Sequence, residues 1–288
     1  MKRFIGILIF ICFYLACSVQ AIEQSLLLKL LELKRESYLA RRGEVILDLV
    51  SSYSQDHTVI PWKVINSSSY DLSATVRLGI SNRLEAYLRL PFSSLFKEEF
   101  VTDWQRYRAV GMRDPTLGFE YELSQEKFNR PATYLTIGAR LPLAKSSYDN
   151  LAEDELELGS GHYATNWGLS FLKSIDPCVI YWGLEYLWTF KKEKFDPADL
   201  INYYGGLGWS LNQQVSLNLG ISGTVVGEDK RIISGVEQVE SSAYNLTGMS
   251  IGSTFVINPN FCISPTLVLG ITDEENDFLF SLGLSFEK

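Results

Sequence analysis

The chain is poor in the residues that carry covalent and metal chemistry: its 288 residues include four cysteines and two histidines. Cys12 and Cys17 fall in an N-terminal leader, which leaves Cys178 and Cys262, too few for a disulfide framework. Each follows a turn signal, Asp176-Pro177 or Asn258-Pro259-Asn260, on strands not expected to be neighbours, so both are read as free, buried thiols. His57 and His162 fall in or beside expected loops, which excludes a multi-histidine zinc site. Positive charge is also short. Lys and Arg number 26 against 34 Asp and Glu, a net −8 with no basic stripe, and nucleic acid is excluded as a partner. Beyond the leader no apolar run approaches ~18 residues, so a membrane crossing would have to be made by strands. With 46% hydrophobic and 21% charged residues, disorder and low-complexity repeats are excluded as well.

Residues 1–21 have the form of a signal peptide. Lys2 and Arg3 precede an uncharged apolar stretch from Phe4 to Cys17, and Val19-Gln20-Ala21 supplies the small residues of a cleavage site. A lipoprotein signal at Cys17 would want an aliphatic residue three positions earlier, where Tyr14 stands. Cleavage before Ile22 removes two bases and no acid, leaving 24 against 34 and a net −10 in an exported chain.

Ile22, Leu26, Leu27, Leu30, Leu31 and Leu33 recur at three-and-four spacing with charged residues between them, which predicts an amphipathic periplasmic helix over 22–40. It could be an arm packed on its own chain, a coiled-coil seam or a plug in a pore.

From Gly43 the period becomes two, clearest where Tyr70, Leu72, Ala74, Val76, Leu78 and Ile80 alternate with Asp71, Ser73, Thr75, Arg77, Gly79 and Ser81. The same template predicts twelve strands, at 44–54, 69–81, 84–92, 115–123, 132–143, 162–173, 178–190, 201–211, 215–226, 243–257, 261–272 and 278–287. Short turns alternate with longer connections at 55–68, 93–114, 144–161, 191–200, 227–242 and 273–277. Even strand number with this parity predicts an all-β, 12-stranded antiparallel transmembrane barrel over 43–288, with both termini in the periplasm. Lys63, Lys97, Lys127, Lys145, Lys191, Lys192, Lys194 and Lys230 all fall in expected loops or turns, with Lys173 and Lys288 at strand ends. The polar face is instead rich in Ser, Thr, Asn and Gly. The other carries aliphatic residues with Tyr53, Tyr70, Phe92, Tyr163, Trp182, Trp188, Phe190, Trp209, Phe261 and Phe286, often toward strand ends, as at bilayer interfaces. Pro265 cannot donate to a ladder and predicts a bulge or a late start in strand eleven.

The polar face receives Glu44, Asp48, Asp71, Glu85, Glu120, Glu122 and Glu185 against Arg77, Arg89 and Arg140. These are the candidate lumen residues. Either the arginines pair with nearby carboxylates and brace the wall, or the surplus acid, with Glu44, Glu85 and Glu122 at similar depth, favours cations in a pore.

Several stretches are similar to an outer-membrane transporter family associated with the meta pathway of phenol degradation. They are Arg42-Gly43-Glu44-Val45-Ile46-Leu47, Gly111-Met112-Arg113-Asp114-Pro115-Thr116-Leu117-Gly118, Gly168-Leu169-Ser170-Phe171 leading to Lys173-Ser174-Ile175-Asp176-Pro177, and Asn258-Pro259-Asn260-Phe261 to Gly283-Leu284-Ser285-Phe286. The resemblance spans nearly the whole mature chain and implies a barrel in the outer membrane, a small-molecule solute, and insertion machinery as a partner. The last strand resembles the signal that this machinery reads, except that Phe286 is followed by Glu287 and Lys288.

Signals for an enzyme are sparse. Ser160-Gly161-His162 sets a hydroxyl two residues from an imidazole, with no orienting group to be named. Gly159-Ser160-Gly161 lacks the Lys-Ser/Thr of a phosphate loop. The acids Asp149, Glu153, Asp154, Glu155 and Glu157 could hold a divalent cation through oxygen, or form a solvated loop. No catalytic residue, metal or cofactor is assigned. Two function classes stand: a pore for small solutes, and a structural or surface-binding barrel with a closed lumen.

Overall fold

The structure is a computed structural model that describes residues 39–60, 63–100, 104–146, 156–192, 195–233, 236–272 and 277–288. The leader and residues 22–38 of the expected helix lie outside them. Among the described residues there are sixteen strands: β1 (Val45–Ile60), β2 (Lys63–Ser81), β3 (Leu84–Phe100), β4 (Trp104–Met112), β5 (Thr116–Ser124), β6 (Ala132–Arg140), β7 (Ala164–Ile175), β8 (Cys178–Thr189), β9 (Phe195–Asp196), β10 (Leu200–Ser210), β11 (Val215–Val226), β12 (Asp229–Ile233), β13 (Val236–Ser241), β14 (Tyr244–Asn258), β15 (Phe261–Gly270) and β16 (Phe278–Glu287). Antiparallel pairing runs round the molecule and closes where β1 meets β16, with Asp48 opposite Ser285. Twelve staves form the barrel, because β4 and β5 are successive neighbours on the same side of β3, β4 against its upper half and β5 against its lower half. Arg113-Asp114-Pro115 breaks that stave. Pro115 has no N–H to continue a ladder.

Alternation decides which way each side chain points, and the barrel is inside out relative to a water-soluble one. On β2, Leu72, Val76, Leu78 and Ile80 are exposed outward, while Asp71, Ser73, Thr75 and Arg77 are buried inward. β11 repeats this, with Leu217, Leu219 and Ile221 outside and Ser216, Asn218 and Ser222 inside. An apolar belt around the whole wall is what a bilayer requires. Trp167, Trp182, Trp188 and Trp209 face outward in it. No helix among the described residues is long and apolar enough to cross a membrane.

All twelve expected strands are present, but strand ends and several connections differ. β1, β2 and β3 run on well past the apolar belt, and β4, β9, β12 and β13 form inside segments expected to be loops. Lys63, Lys97 and Lys230 accordingly sit in strands. Above the bilayer both strand faces meet water, so no apolar alternation marks these extensions. Strand eleven, now β15, runs unbroken through Pro265, and the register shift in its ladder with β14 falls at Val256–Asn258, opposite the start of β15. Its ladder with β14 skips from Gly252↔Thr266 to Phe255↔Ile263. The gap is bridged by side chains, Ser264 Oγ donating to Thr254 Oγ1 at 2.8 Å. Neither Cys178 nor Cys262 is in a disulfide among the described residues, Cys262 being buried and Cys178 only half-buried at the start of β8.

Candidate functional site: the barrel lumen and its mouth

The lumen wall is unequal in charge. From β11 through β16 it is lined by Ser216, Asn218, Ser222, Thr224, Ser250, Thr254, Ser264, Thr266, Ser281 and Ser285, all buried. The candidate charged residues cluster on β1 to β3, β5, β6 and β8. Arg77 sits between two carboxylates, its Nε 3.0 Å from Asp48 Oδ2 and its Nη1 3.5 Å from Glu85 Oε1. All three are buried, so they hold one another against a desolvation cost that a lone charge could not meet. Ser285 Oγ donates to the other oxygen of Asp48 at 2.5 Å.

Glu85 has a second task. Its Oε2 accepts the Ala40 N–H at 2.7 Å, and Leu39 packs on Ala132, Tyr134 and Leu172, which belong to β6 and β7. Leu39 and Ala40 thus lie inside the mouth of the barrel at its short-turn end. Gly79 lets the chain through, since a Cβ there would lie 1.8 Å from the Arg41 carbonyl oxygen. Gly43, at φ +83°, then turns the chain into β1, with Glu44 Oε2 accepting the Arg41 N–H at 2.6 Å.

The remaining acids are distributed by height. Glu120 lies opposite Glu85 on the next strand and is buried, and Glu122 is 3.8 Å from Arg83 at the periplasmic rim. Glu185 accepts from Asn166 Nδ2 at 2.9 Å. Asp71, higher up, accepts from Ser93 Oγ and lies 3.9 Å from Arg113 Nη1. Arg89 and Arg140 occupy one cross-strand row with Thr116 between them, toward the outer end. The lumen is therefore acidic below and basic above.

Four inward tyrosines were not anticipated from the sequence: Tyr87, Tyr134, Tyr181 and Tyr204. Three lie against the wall over glycines. A Cβ on Gly118 or Gly138 would come within 2.7 or 2.6 Å of Tyr87 Oη, one on Gly206 within 2.2 Å of Tyr181 Oη, and one on Gly183 within 2.5 Å of Tyr204. The register explains the arrangement: Tyr87, Gly118, Gly138 and Asn166 are successive partners on β3, β5, β6 and β7. Asn166 Nδ2 reaches the Tyr87 hydroxyl at 3.4 Å. An inward tyrosine with glycine at the same height on the next two strands is a signal the sequence carries, but it is visible only once register is known.

Outside the lumen, Asp114 ties down the outer rim. Its Oδ1 accepts from the Ala144 N–H at 3.1 Å, and its Oδ2 from Ser160 N–H and Oγ at 2.8 and 3.1 Å. Ser160 and the His162 ring do not meet, because the ring is 3.0 Å from the Phe190 carbonyl through Nδ1. Burial pushes the imidazole below its usual range, against the effect of that hydrogen bond. A cleft of 600 Å³ opens beside it, lined by Leu143, Lys145, Tyr163, Phe190, Lys191 and Lys192. Of the acids considered for a cation, Asp149 and Glu153 to Glu155 lie outside the described residues, and Glu157 is exposed.

Three solved structures share this architecture. The COG4313 outer membrane channel from Pseudomonas putida F1 is 13% identical, with 88% of this chain and 99% of that one covered and a TM-score of 0.66. The translocator domain of the autotransporter NalP from Neisseria meningitidis is 7% identical over 92% and 94%, TM-score 0.56. The transport unit of the autotransporter AIDA-I from Escherichia coli is 10% identical over 92% and 96%, TM-score 0.52. At these identities the likeness is one of fold, that of an outer-membrane barrel. In sequence, residues 46–287 match the family described as "Putative MetA-pathway of phenol degradation", and the chain belongs to that family.

Proposed function

We propose that the chain is a passive outer-membrane channel for small solutes, aromatic compounds among them, with a mild preference for cations. The observation that carries this reading is the inlay of Tyr87, Tyr181 and Tyr204 along the wall. Each ring lies over glycine instead of projecting across the lumen, Tyr87 half-buried and Tyr181 and Tyr204 buried, so aromatic surface is inlaid in the wall. The family's link to phenol degradation and the channel named in the Pseudomonas relative point the same way. Cation preference would come from the lower half, where Glu44, Glu120 and Glu122 add to an Asp48–Arg77–Glu85 group that is itself one charge negative. No chemical step is assigned, and Ser160 and His162 serve the rim. Strand β16, with Phe286 outward near its end, would be read by the insertion machinery.

A second reading, a structural barrel with a closed lumen, is favoured by the shielding of inward groups: Asp48, Ser52, Ser281 and Thr254 are 0% exposed. Conductance separates the two. Purified protein in planar bilayers should pass ions, with reversal potentials shifted toward cations under a salt gradient, and the shift should shrink in Glu85→Gln/Glu122→Gln. Silence from the intact chain and from a variant lacking residues 22–40 would sink the channel and leave the structural role.

A further inference from the structure

We infer that the outer half of the lumen contains a carboxylate-recognition subsite for small aromatic acids, formed by Arg89 and Arg140 above the ring of Tyr87. This deepens the channel reading and rests on it. Both arginines point inward on one cross-strand row, Arg89↔Thr116↔Arg140. Two strand spacings set their Cα atoms ~10 Å apart, within reach of one shared anion for side chains of this length. Neither takes part in an ion pair among the described residues, and the Nε of each is buried with no hydrogen-bond partner. A guanidinium cannot shed its charge, so it is the side chain least able to be left this way. Unmet buried donors in a native protein call for a water or an ion, and two fixed positive forks call for an anion.

The nearby acids do not fill that role. Asp114 is the acid that acts on Arg140, but both of its oxygens are taken up by Ala144 and Ser160. Asp71 is turned to Ser93 and Arg113. Arg113 itself donates from Nε to the Leu158 carbonyl at 3.3 Å.

The row immediately below explains why the anion should be aromatic. There the inward positions are Tyr87, Gly118 and Gly138, two residues down each strand from Arg89, Thr116 and Arg140. Two residues are ~6.6 Å, about the distance from the centre of a benzoate ring to a donor nitrogen hydrogen-bonded to its carboxylate. A benzoate-sized solute can therefore lay its ring along Tyr87 while its carboxylate meets the two guanidinium groups. Gly118 and Gly138 let the Tyr87 ring lie against the wall, which leaves its other face toward the lumen, and Thr116 is too short to intrude. The acids lower in the lumen govern small-ion preference, whereas this pair acts at capture, before passage.

The test titrates the full-length purified barrel with benzoate, benzamide and acetate by calorimetry, and records benzoate-induced closures of single channels. Wild type should bind benzoate saturably and at least tenfold more tightly than benzamide or acetate. Arg89→Gln/Arg140→Gln should weaken benzoate at least tenfold and leave benzamide unchanged, with Arg89→Lys/Arg140→Lys in between. Retention of the heat-modifiable gel shift certifies each variant as folded. Benzoate affinity unmoved in the double Gln variant, or equal affinity for benzamide and benzoate, would overturn the subsite even if the channel conducts. Conversely, a barrel that binds benzoate through these arginines but passes no current would keep the subsite and remove the channel.

Discussion

The two sides of this barrel differ in height. On β6 through β8 the strands are 9 to 12 residues long, about what one bilayer crossing needs. β2 and β3, separated from β6 by β5 alone, have 19 and 17 residues and share the apolar belt only in their lower halves. Above Tyr53, Tyr70 and Phe92 the tall wall is held by polar contacts, with Glu99 between Lys63 at 2.7 Å and Lys97 at 2.5 Å, and Arg106 on Glu98 at 2.8 Å. The difference teaches that the bilayer sets the height of the belt and leaves strand length to cross-strand pairing.

The comparison can be broken first at its foot. Arg77, on the tall wall, pairs with two buried acids, whereas Glu185 on the short wall is met by the neutral Asn166. Arg77→Ala should cost ~3–5 kcal/mol in urea unfolding from lipid vesicles, because Asp48 and Glu85 stay behind without their counter-charge. Asn166→Ala should cost less, ~1–3 kcal/mol. Equal losses would mean that the charged brace has no special weight.

The belt itself predicts the next effect. Val76→Arg puts a charge on the lipid face of β2 and should cost ~2–4 kcal/mol near the midplane. Ser68→Arg, eight residues up the same strand and on the same face, should stay within ~0.5 kcal/mol if it is above the bilayer. Similar penalties would place lipid against both.

Asp114→Ala probes the junction at which the tall wall gives way to the short one. Removing the acceptor of two loop N–H groups and a hydroxyl should cost ~1–3 kcal/mol and speed proteolysis of 141–163 on intact cells. Unchanged cleavage would show that these bonds do not hold the rim.

The smallest effect is confined to the tall wall's top. Hydrogen bonds from Lys63 and Lys97 hold the Glu99 carboxyl below its ordinary range. A folded value below the unfolded one gives stability that is full above the unfolded value and lost as pH falls through the depressed one. Amide exchange near 97–100 should rise in acid by the equivalent of ~0.5 kcal/mol while β6–β8 stay protected. Glu99→Gln should abolish the pH dependence.

The same contrast explains what the sequence discloses. Where one strand face meets lipid, Leu72 to Ile80 alternate and the strand can be read directly. At Ser67-Ser68-Ser69 both faces are wet, the period disappears, and 55–68 reads as a loop although the ladder continues from Asp56↔Ser67 to Ile60↔Lys63. Pro265 misleads for the opposite reason: a missing donor suggests a bulge, yet Ser264 and Thr254 close the gap with hydroxyls. In the lumen, alternation alone places Asp48, Arg77 and Glu85 on one face. It cannot pair them, because partners on different strands are fixed by register. Tyr87 over Gly118 and Gly138 is hidden for the same reason.

The split stave also shapes the approach from outside. β3 has β5 beside it in the membrane and β4 above, but Arg113-Asp114-Pro115 sends β4 away from the line that β6 follows. The sheet of β1 to β4 is therefore a curved screen, and its far margin is met by the Leu156 N–H on the Arg108 carbonyl at 3.3 Å. Pro115, where one ladder on β3 ends and the next begins, thus divides the part of that stave inside the bilayer from the part that stands above it.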